Sequence, residues 1–263
     1  MIMRKNKLLT KFAAEKVMVN SWISIPSSYG AEVIAHSGVD SVTVDMQHGM
    51  VGFSDLVHIF QAVSTSPAVP LVRVPSSEPS MLMKVLDAGA YGIICPSVDT
   101  PEICRELISA CRYPPLGTRS FGPTRGLTYG GKDYIEHADQ EVMVLAMIES
   151  QQALDNLEAI LDTPGLTGIY IGPNDLAYSL GDKPGSTSEK VENAIAHILR
   201  QAKERGLFTG IFCSGLENAL QRKEQGFDLV TPGNDAGVLR NAYQQFVGQI
   251  SDVNQDTVSA GGY

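Results

Sequence analysis

The chain is poor in the residues from which special-purpose sites are most readily read. Its 263 residues include only four cysteines, Cys95, Cys104, Cys111 and Cys213, with no CxxC pair. That excludes a disulfide scaffold and the common cysteine-based zinc sites, and the thiols read as reduced and buried. No apolar run approaches the roughly 18 residues of a membrane span. The basic start (Arg4, Lys5, Lys7, Lys11) leads into a stretch broken by Lys11 and Glu15, unlike the uninterrupted core of a signal peptide, so the expected location is cytoplasmic. Positive charge is also scarce: 20 Lys and Arg stand against 29 Asp and Glu, a formal charge of −9. A nucleic-acid partner, which needs a basic face to displace counterions, is not expected. Nor are there GxGxxG, HExxH or GxSxG motifs. Hydrophobic residues at 43% and charged residues at 19% nevertheless describe an ordinary globular core-former.

What the sequence does contain is alternation. Short β-rich apolar runs fall near 20–25, 41–46, 69–74, 91–96, 142–148, 167–172, 207–213 and 227–232, apolar through most of their length as parallel strands covered on both faces are. Segments with helical spacing lie between and after them, at 29–37, 53–65, 79–88, 101–112, 152–161, 188–205, 216–225 and 235–249. Ser54 and Thr100-Pro101 read as helix entries, and Gly89, Gly206 and Gly226 as stops. Eight strand–helix units predict an α/β fold, a (β/α)8 TIM barrel over residues 1–250, followed by a polar tail at 251–263. The rival is a doubly wound open sheet, but the first strand leads into IPSSYGAE without a glycine-rich phosphate turn. An excursion at 113–141 is too long for an ordinary connection and reads as a functional or oligomer-forming loop.

In such a barrel, chemistry sits where strands end. The polar residues there are few: Asp45 and His48 after the second run, Arg73 in the third, Glu149 after the fifth, and Gly172-Pro173-Asn174-Asp175 after the sixth. Glu149 and Asp175 end adjacent strands and could together hold one hard divalent cation, Mg²⁺ or Mn²⁺ rather than zinc; alternatively each could cap a helix. His48, three residues after Asp45, could have its tautomer fixed by that carboxylate. His36, His58, His137 and His197 read as structural or surface residues. Arg73 needs a partner inside its apolar strand: Asp45 or Glu149 in a structural ion pair, or a substrate oxyanion. GLTYGGKD at 126–133 falls short of a phosphate loop, because Asp133 replaces the metal-binding hydroxyl. No lysine occurs in the predicted strands, so carbonyl activation through a Schiff base has no candidate.

Taken together, the motifs VDMQHG (44–49), LVRVP (71–75), GAYGIICPSVDTPE (89–102), RYPPLGTRS (112–120), MIES (147–150), IGPNDLAYSLG (171–181) and FDLVTPGNDAGVL (227–239) resemble those of the HpcH/HpaI aldolases over about residues 7–245. These are class II, metal-dependent enzymes that make and cleave 4-hydroxy-2-oxo acids, with pyruvate as donor. The resemblance implies that Glu149 and Asp175 bind the metal (Mg²⁺, Mn²⁺ or Co²⁺), that His48 with Asp45 is the acid/base pair, and that Arg73 stabilises the enolate. It places the 2-oxo acid carboxylate at the backbone of Gly172, Pro173 and Asn174. It further implies small-molecule partners, a 2-oxo acid and an aldehyde, and a homo-oligomer, hexamer or trimer, with a C-terminal helix exchanged between subunits. Gln47 and Met147 depart from the pattern of many relatives. The alternatives are a CoA-thioester lyase of the citrate/malyl type, for which Arg119, Arg125 and Lys132 could supply a nucleotide groove, and a non-catalytic barrel that binds 2-oxo acids.

Overall fold

The computed structural model describes residues 3–250; the predicted tail at 251–263 lies outside them. Eight parallel strands close into a barrel in chain order: β1 Met18–Ile23, β2 Ser41–Asp45, β3 Val69–Arg73, β4 Gly92–Cys95, β5 Met143–Ile148, β6 Gly168–Ile171, β7 Phe208–Phe212 and β8 Leu229–Thr231. The (β/α)8 expectation is met at every strand. β1 begins and ends two residues before the predicted run, because Ser24 is drawn out of the ladder: its amide donates to Asp235 at 2.8 Å and its carbonyl accepts from Met50.

Alternation along each strand sorts the side chains into two cores. Val42, Val44, Val72, Ile93, Val144, Ala146, Ile148, Ile169, Ile171 and Ile211 face outward, into the layer beneath the helices. Met18, Trp22, Val69, Leu71, Ile94, Met143, Leu145, Met147, Tyr170, Phe208 and Leu229 fill the barrel interior. Both sets are buried, which is why the strands read as nearly continuous apolar runs.

The helices differ from the sequence reading in instructive ways. Thr100 caps the helix Pro101–Cys111 as expected, its hydroxyl accepting from the Ile103 amide at 3.3 Å. Gly89 and Gly206 follow helix ends with φ of 102° and 66°, a conformation that glycine adopts without steric cost. Gly52, not Ser54, caps the helix Phe53–Val63, with Asp55 reaching back to the Gly52 amide at 2.9 Å. The predicted helix 152–161 breaks at Asn156 into Gln151–Asp155 and Leu157–Leu161. There the Asn156 side chain binds the Asp99 carbonyl at 2.9 Å, the kind of local competition that asparagine offers a helix.

The excursion 113–141 carries two helices, Thr124–Gly130 and Tyr134–Glu141, and they lie at the end of the barrel where the strands begin. Arg125 donates to the carbonyls of Ala88 (2.8 Å) and Phe60 (2.9 Å) and to the Ser64 hydroxyl (2.8 Å). Arg4 donates its amide to the Gly130 carbonyl at 2.7 Å, and Tyr91, just before β4, donates to the Arg4 carbonyl at 2.8 Å. The helix Lys7–Ala13 adds Leu8 to the interior core. Within this chain the excursion therefore closes the floor of the barrel and does not line its mouth. Among the described residues no helix is long and apolar enough to cross a membrane.

Candidate active site

The opposite end of the barrel gathers the polar residues. β2 and β3 run in register with Asp45 opposite Arg73, and their side chains meet: Arg73 Nε donates to Asp45 Oδ1 at 2.9 Å and Nη2 to Oδ2 at 2.6 Å. Both residues are buried, at 7% and 1% exposure, so this is a two-pronged ion pair in a dry setting, the geometry that suits a guanidinium best. Asp45 also accepts from Trp22 Nε1 at 3.1 Å and from the amides of Gln47 and His48 at 3.1 and 3.2 Å. Burial alone would raise the Asp45 carboxyl; the hydrogen bonds and charge of Arg73, with help from Trp22 and the His48 amide, outweigh it and hold the group below its ordinary value.

The Asp45 bonds to the two amides shape the turn that presents His48. Gly49 completes the turn, since a Cβ there would lie 2.3 Å from the Asp45 carbonyl oxygen. His48 itself is exposed at the mouth. Partial desolvation and then the charge of Arg73 lower its pKa, while Asp45 and Asp175 pull the other way. The imidazole thus shares one electrostatic environment with all three.

Across the mouth, β5 and β6 bring up the two acids. Glu149 follows the last residue of β5 and is buried. Asp175 is exposed and sits in the first turn of the helix Pro173–Ser179, which Gly172 begins and Pro173 continues at the first helical position. Neither acid is a helix cap: Ser150 caps the helix after β5, its hydroxyl accepting from Ala153 at 2.9 Å. Glu149 lies close over Gly172, where a Cβ would stand 2.6 Å from Glu149 Oε2. Its Oε1 accepts from the Ser97 amide at 2.8 Å. Burial, and then the like charge of Asp175, push the Glu149 carboxyl from 4.5 up to about 7, with the Ser97 bond and Arg73 opposing.

A cavity of about 340 Å³ opens at this mouth; Arg73, Met147, Gly172, Pro173, Asn174 and Asp175 form part of its wall, with Trp22, Tyr170 and Phe212 beside them. Asn174 has a structural task as well, its Oδ1 accepting from the Gly185 amide at 2.9 Å. Among the described residues no group of three or more His, Cys, Asp and Glu is arranged to hold a metal. Two carboxylates, one of them strained by burial beside the other, instead fit a hard cation that keeps its remaining positions for water and substrate oxygens. The cysteines are free and buried, and burial raises all four thiols, Cys111 to about 12, which disfavours the thiolate a nucleophile needs.

A model of the HpcH/HpaI aldolase/citrate lyase family matches residues 19–242. The chain belongs to this family. It is 39% identical over 244 residues to the hydroxypyruvate/pyruvate aldolase of Rhizorhabdus wittichii, covering 92% of this chain and 97% of that protein. It is 34% identical over 242 residues to the 5-keto-4-deoxy-D-glucarate aldolase of Klebsiella pneumoniae, covering 91% and 94%. The solved structure of a family member from Burkholderia cenocepacia superposes with a TM-score of 0.89 at 31% identity, over 94% of this chain and 99% of that one. These relationships make the chain an aldolase, a carbon–carbon lyase acting on small molecules, in a family that depends on divalent cations.

In this aldolase the sequence reading brought Asp45, His48, Arg73, Glu149 and Gly172–Asp175 to one mouth, and it missed two contributors. Trp22 is the sole tryptophan, and its place on an inward position of β1 was the available signal. Ser97 acts through its backbone amide and adopts a φ of 54°, unusual for a residue with a side chain; no residue-type pattern announces that. The nucleotide groove invoked for a CoA-thioester lyase loses two of its cations. Arg119 is buried against Asp87 (2.8 Å) and Tyr134 (3.1 Å), and Arg125 staples the barrel floor.

Proposed function

We propose that the protein reversibly cleaves 4-hydroxy-2-oxo acids to pyruvate, or a related 2-oxo acid, and an aldehyde. The single observation that carries this reading is the meeting at one barrel mouth of the carboxylates Glu149 and Asp175 with the buried Arg73 cation, whose charges act on one another. Glu149 and Asp175 would hold Mg²⁺, Mn²⁺ or Co²⁺, and the bound cation would supply Lewis-acid stabilisation of an enolate near neutral pH. The backbone at Gly172, Pro173 and Asn174 orients the carboxylate of the 2-oxo acid. Arg73, fixed by Asp45, shares the negative charge that develops on the keto oxygen. His48 takes the proton from the C4 hydroxyl in cleavage and returns it in condensation. Asp45 serves His48 by shaping its turn and by its charge. The lowered His48 pKa favours the neutral imidazole that such a base requires.

We place the protein in the cytoplasm, where its four buried free thiols stay reduced, and as a homo-oligomer. The helix Asp235–Ile250 buries none of its residues within the chain. Leu239, Tyr243, Phe246, Val247 and Ile250 leave a largely exposed apolar stripe along it, which supports assembly with further copies.

The decisive experiment is exchange of the pyruvate methyl protons in D₂O, which needs no acceptor aldehyde. Exchange dependent on Mg²⁺, Mn²⁺ or Co²⁺, abolished by EDTA and slowed at least about 100-fold by Glu149→Ala, is expected. His48→Ala should slow turnover of a 4-hydroxy-2-oxo acid by a similar factor. Pyruvate binding with no exchange under any of these cations would refute catalysis, and turnover of malyl-CoA without turnover of pyruvate plus aldehyde would favour the thioester lyase.

A further inference from the structure

The indole of Trp22 has contacts more specific than those of a cavity wall. It is 2% exposed and points into the barrel from the penultimate position of β1. Its Nε1 donates to Asp45 Oδ2 at 3.1 Å, the same oxygen that accepts Arg73 Nη2 at 2.6 Å. The guanidinium carbon of Arg73 stands 4.9 Å from the indole ring centroid. One side chain therefore meets both members of the ion pair, the anion through its edge and the cation through its face.

The indole is itself held from several strands. Tyr170 of β6 packs on it with centroids 5.4 Å apart, and Phe212 of β7 meets it edge-on at 5.5 Å and 83°. The Tyr170 hydroxyl bonds Thr231 Oγ1 at 2.7 Å. Thr231 in turn accepts from Asn20 at 2.9 Å, and Asn20 Oδ1 accepts from Ser41 at 2.8 Å and Thr43 at 2.9 Å. The indole thus rests on a buried network spanning β8, β6, β1 and β2.

We propose that Trp22 is a positioning residue: its ring face and its N–H hold the Arg73–Asp45 pair in the orientation from which Arg73 meets the oxyanion. The proposal rests on the reading of Arg73 given above. A guanidinium gripped along one edge by a carboxylate retains freedom to tilt about that edge. A cation–π contact on its face removes this freedom, and a hydrogen bond to Oδ2 keeps the carboxylate from turning with it. Electrostatic stabilisation depends on donors that are in place before charge develops. Loosening them therefore costs turnover more than substrate binding.

The test uses the Mn²⁺-loaded protein and pyruvate methyl exchange. Trp22→Phe keeps an aromatic ring and loses the donor; kcat for exchange is expected to fall about tenfold, with the pyruvate KM within about twofold. In an Arg73→Lys background the same substitution should change kcat by less than about twofold, because the two-pronged guanidinium geometry it maintains is already gone. Wild-type exchange in Trp22→Phe, or an equal fall in both backgrounds, would overturn the proposal. A second readout needs neither metal nor turnover. Trp22 is the only tryptophan, so the intrinsic emission reports on it alone. In EDTA, Arg73→Lys should shift that emission, and an unchanged spectrum would overturn the contact. If the wild-type protein exchanges with no cation, the metal-dependent mechanism proposed above fails instead, while the emission arm still judges the contact.

Discussion

Glu149→Gln should make the metal-free protein more stable, against the usual expectation for a buried site residue. Burial beside Asp175 moves the Glu149 carboxyl from 4.5 up to about 7, so the native fold holds its proton more tightly than the unfolded chain does. For a carboxylate raised in this way, stability is undiminished below pH 4.5, falls as pH rises from 4.5 to 7, and stays reduced above that. A shift of this size corresponds to about 3 kcal/mol at pH 8 and under about 1 kcal/mol at pH 5. Glutamine removes the charge, yet its carbonyl oxygen can still accept the Ser97 amide. Equilibrium urea denaturation in EDTA should therefore find the variant more stable at pH 8, with the advantage shrinking toward pH 5. In a barrel of this length the gain corresponds to roughly 5–10 °C in Tm. With metal at about 1,000 times its Kd the order should reverse, since such binding stabilises the wild type by about 4.1 kcal/mol. A variant no more stable than wild type at pH 8 in EDTA, or a gain independent of pH, refutes the reasoning.

Three further outcomes follow from the same geometry. Metal binding should release protons below pH about 7, where Glu149 is protonated, so that affinity weakens toward tenfold per pH unit on acidification; calorimetry in buffers of different ionisation enthalpy measures this, and a flat profile between pH 5 and 7 would contradict it. Gly172→Ala would place a methyl group 2.6 Å from Glu149 Oε2 and should weaken Mn²⁺ binding at least about tenfold while the protein remains folded, as read by the paramagnetic signal of free Mn²⁺. Arg125→Ala, at the barrel floor, loses three hydrogen bonds and should cost about 2–4 kcal/mol of stability with exchange activity at 20 °C unchanged; a loss of kcat without a loss of stability would mean that the floor communicates with the mouth.

The barrel was legible in the sequence because its period is simple: buried parallel strands read as apolar runs, and eight of them alternated with amphipathic segments. The reactive groups stood out for a related reason, since a strand interior empty of charge makes Arg73, or Asp45 beside it, conspicuous. Partnership was harder to see. The spacing offered Asp45 as a partner both to His48 and, alongside Glu149, to Arg73; β2–β3 register places Asp45 across from Arg73, and its carboxylate also accepts from the His48 amide. Register is a property of two strands at once, and a single-strand pattern does not encode it. Ser97 was invisible for another reason: its contribution is an amide direction set by a left-handed backbone.

Glu149 connects these observations. Its raised pKa requires desolvation, and the structure shows where that comes from. Gly172 lets the carboxylate lie against the β6 end, and the 97–99 loop is fastened over β5 by the Ser97 amide to Glu149, the Ser150 hydroxyl to Asp99, and Asn156 to the Asp99 carbonyl. Ser97 holds its unusual φ of 54° within this fastened loop. Ser97, beyond β4, thus helps enclose the carboxylate beyond β5, and the desolvation and like charge borne by Glu149 are a cost that a cation there would relieve. A site built this way would be less stable empty than filled, so the residue proposed to bind the metal is also the one whose neutral substitute should stabilise the empty protein most.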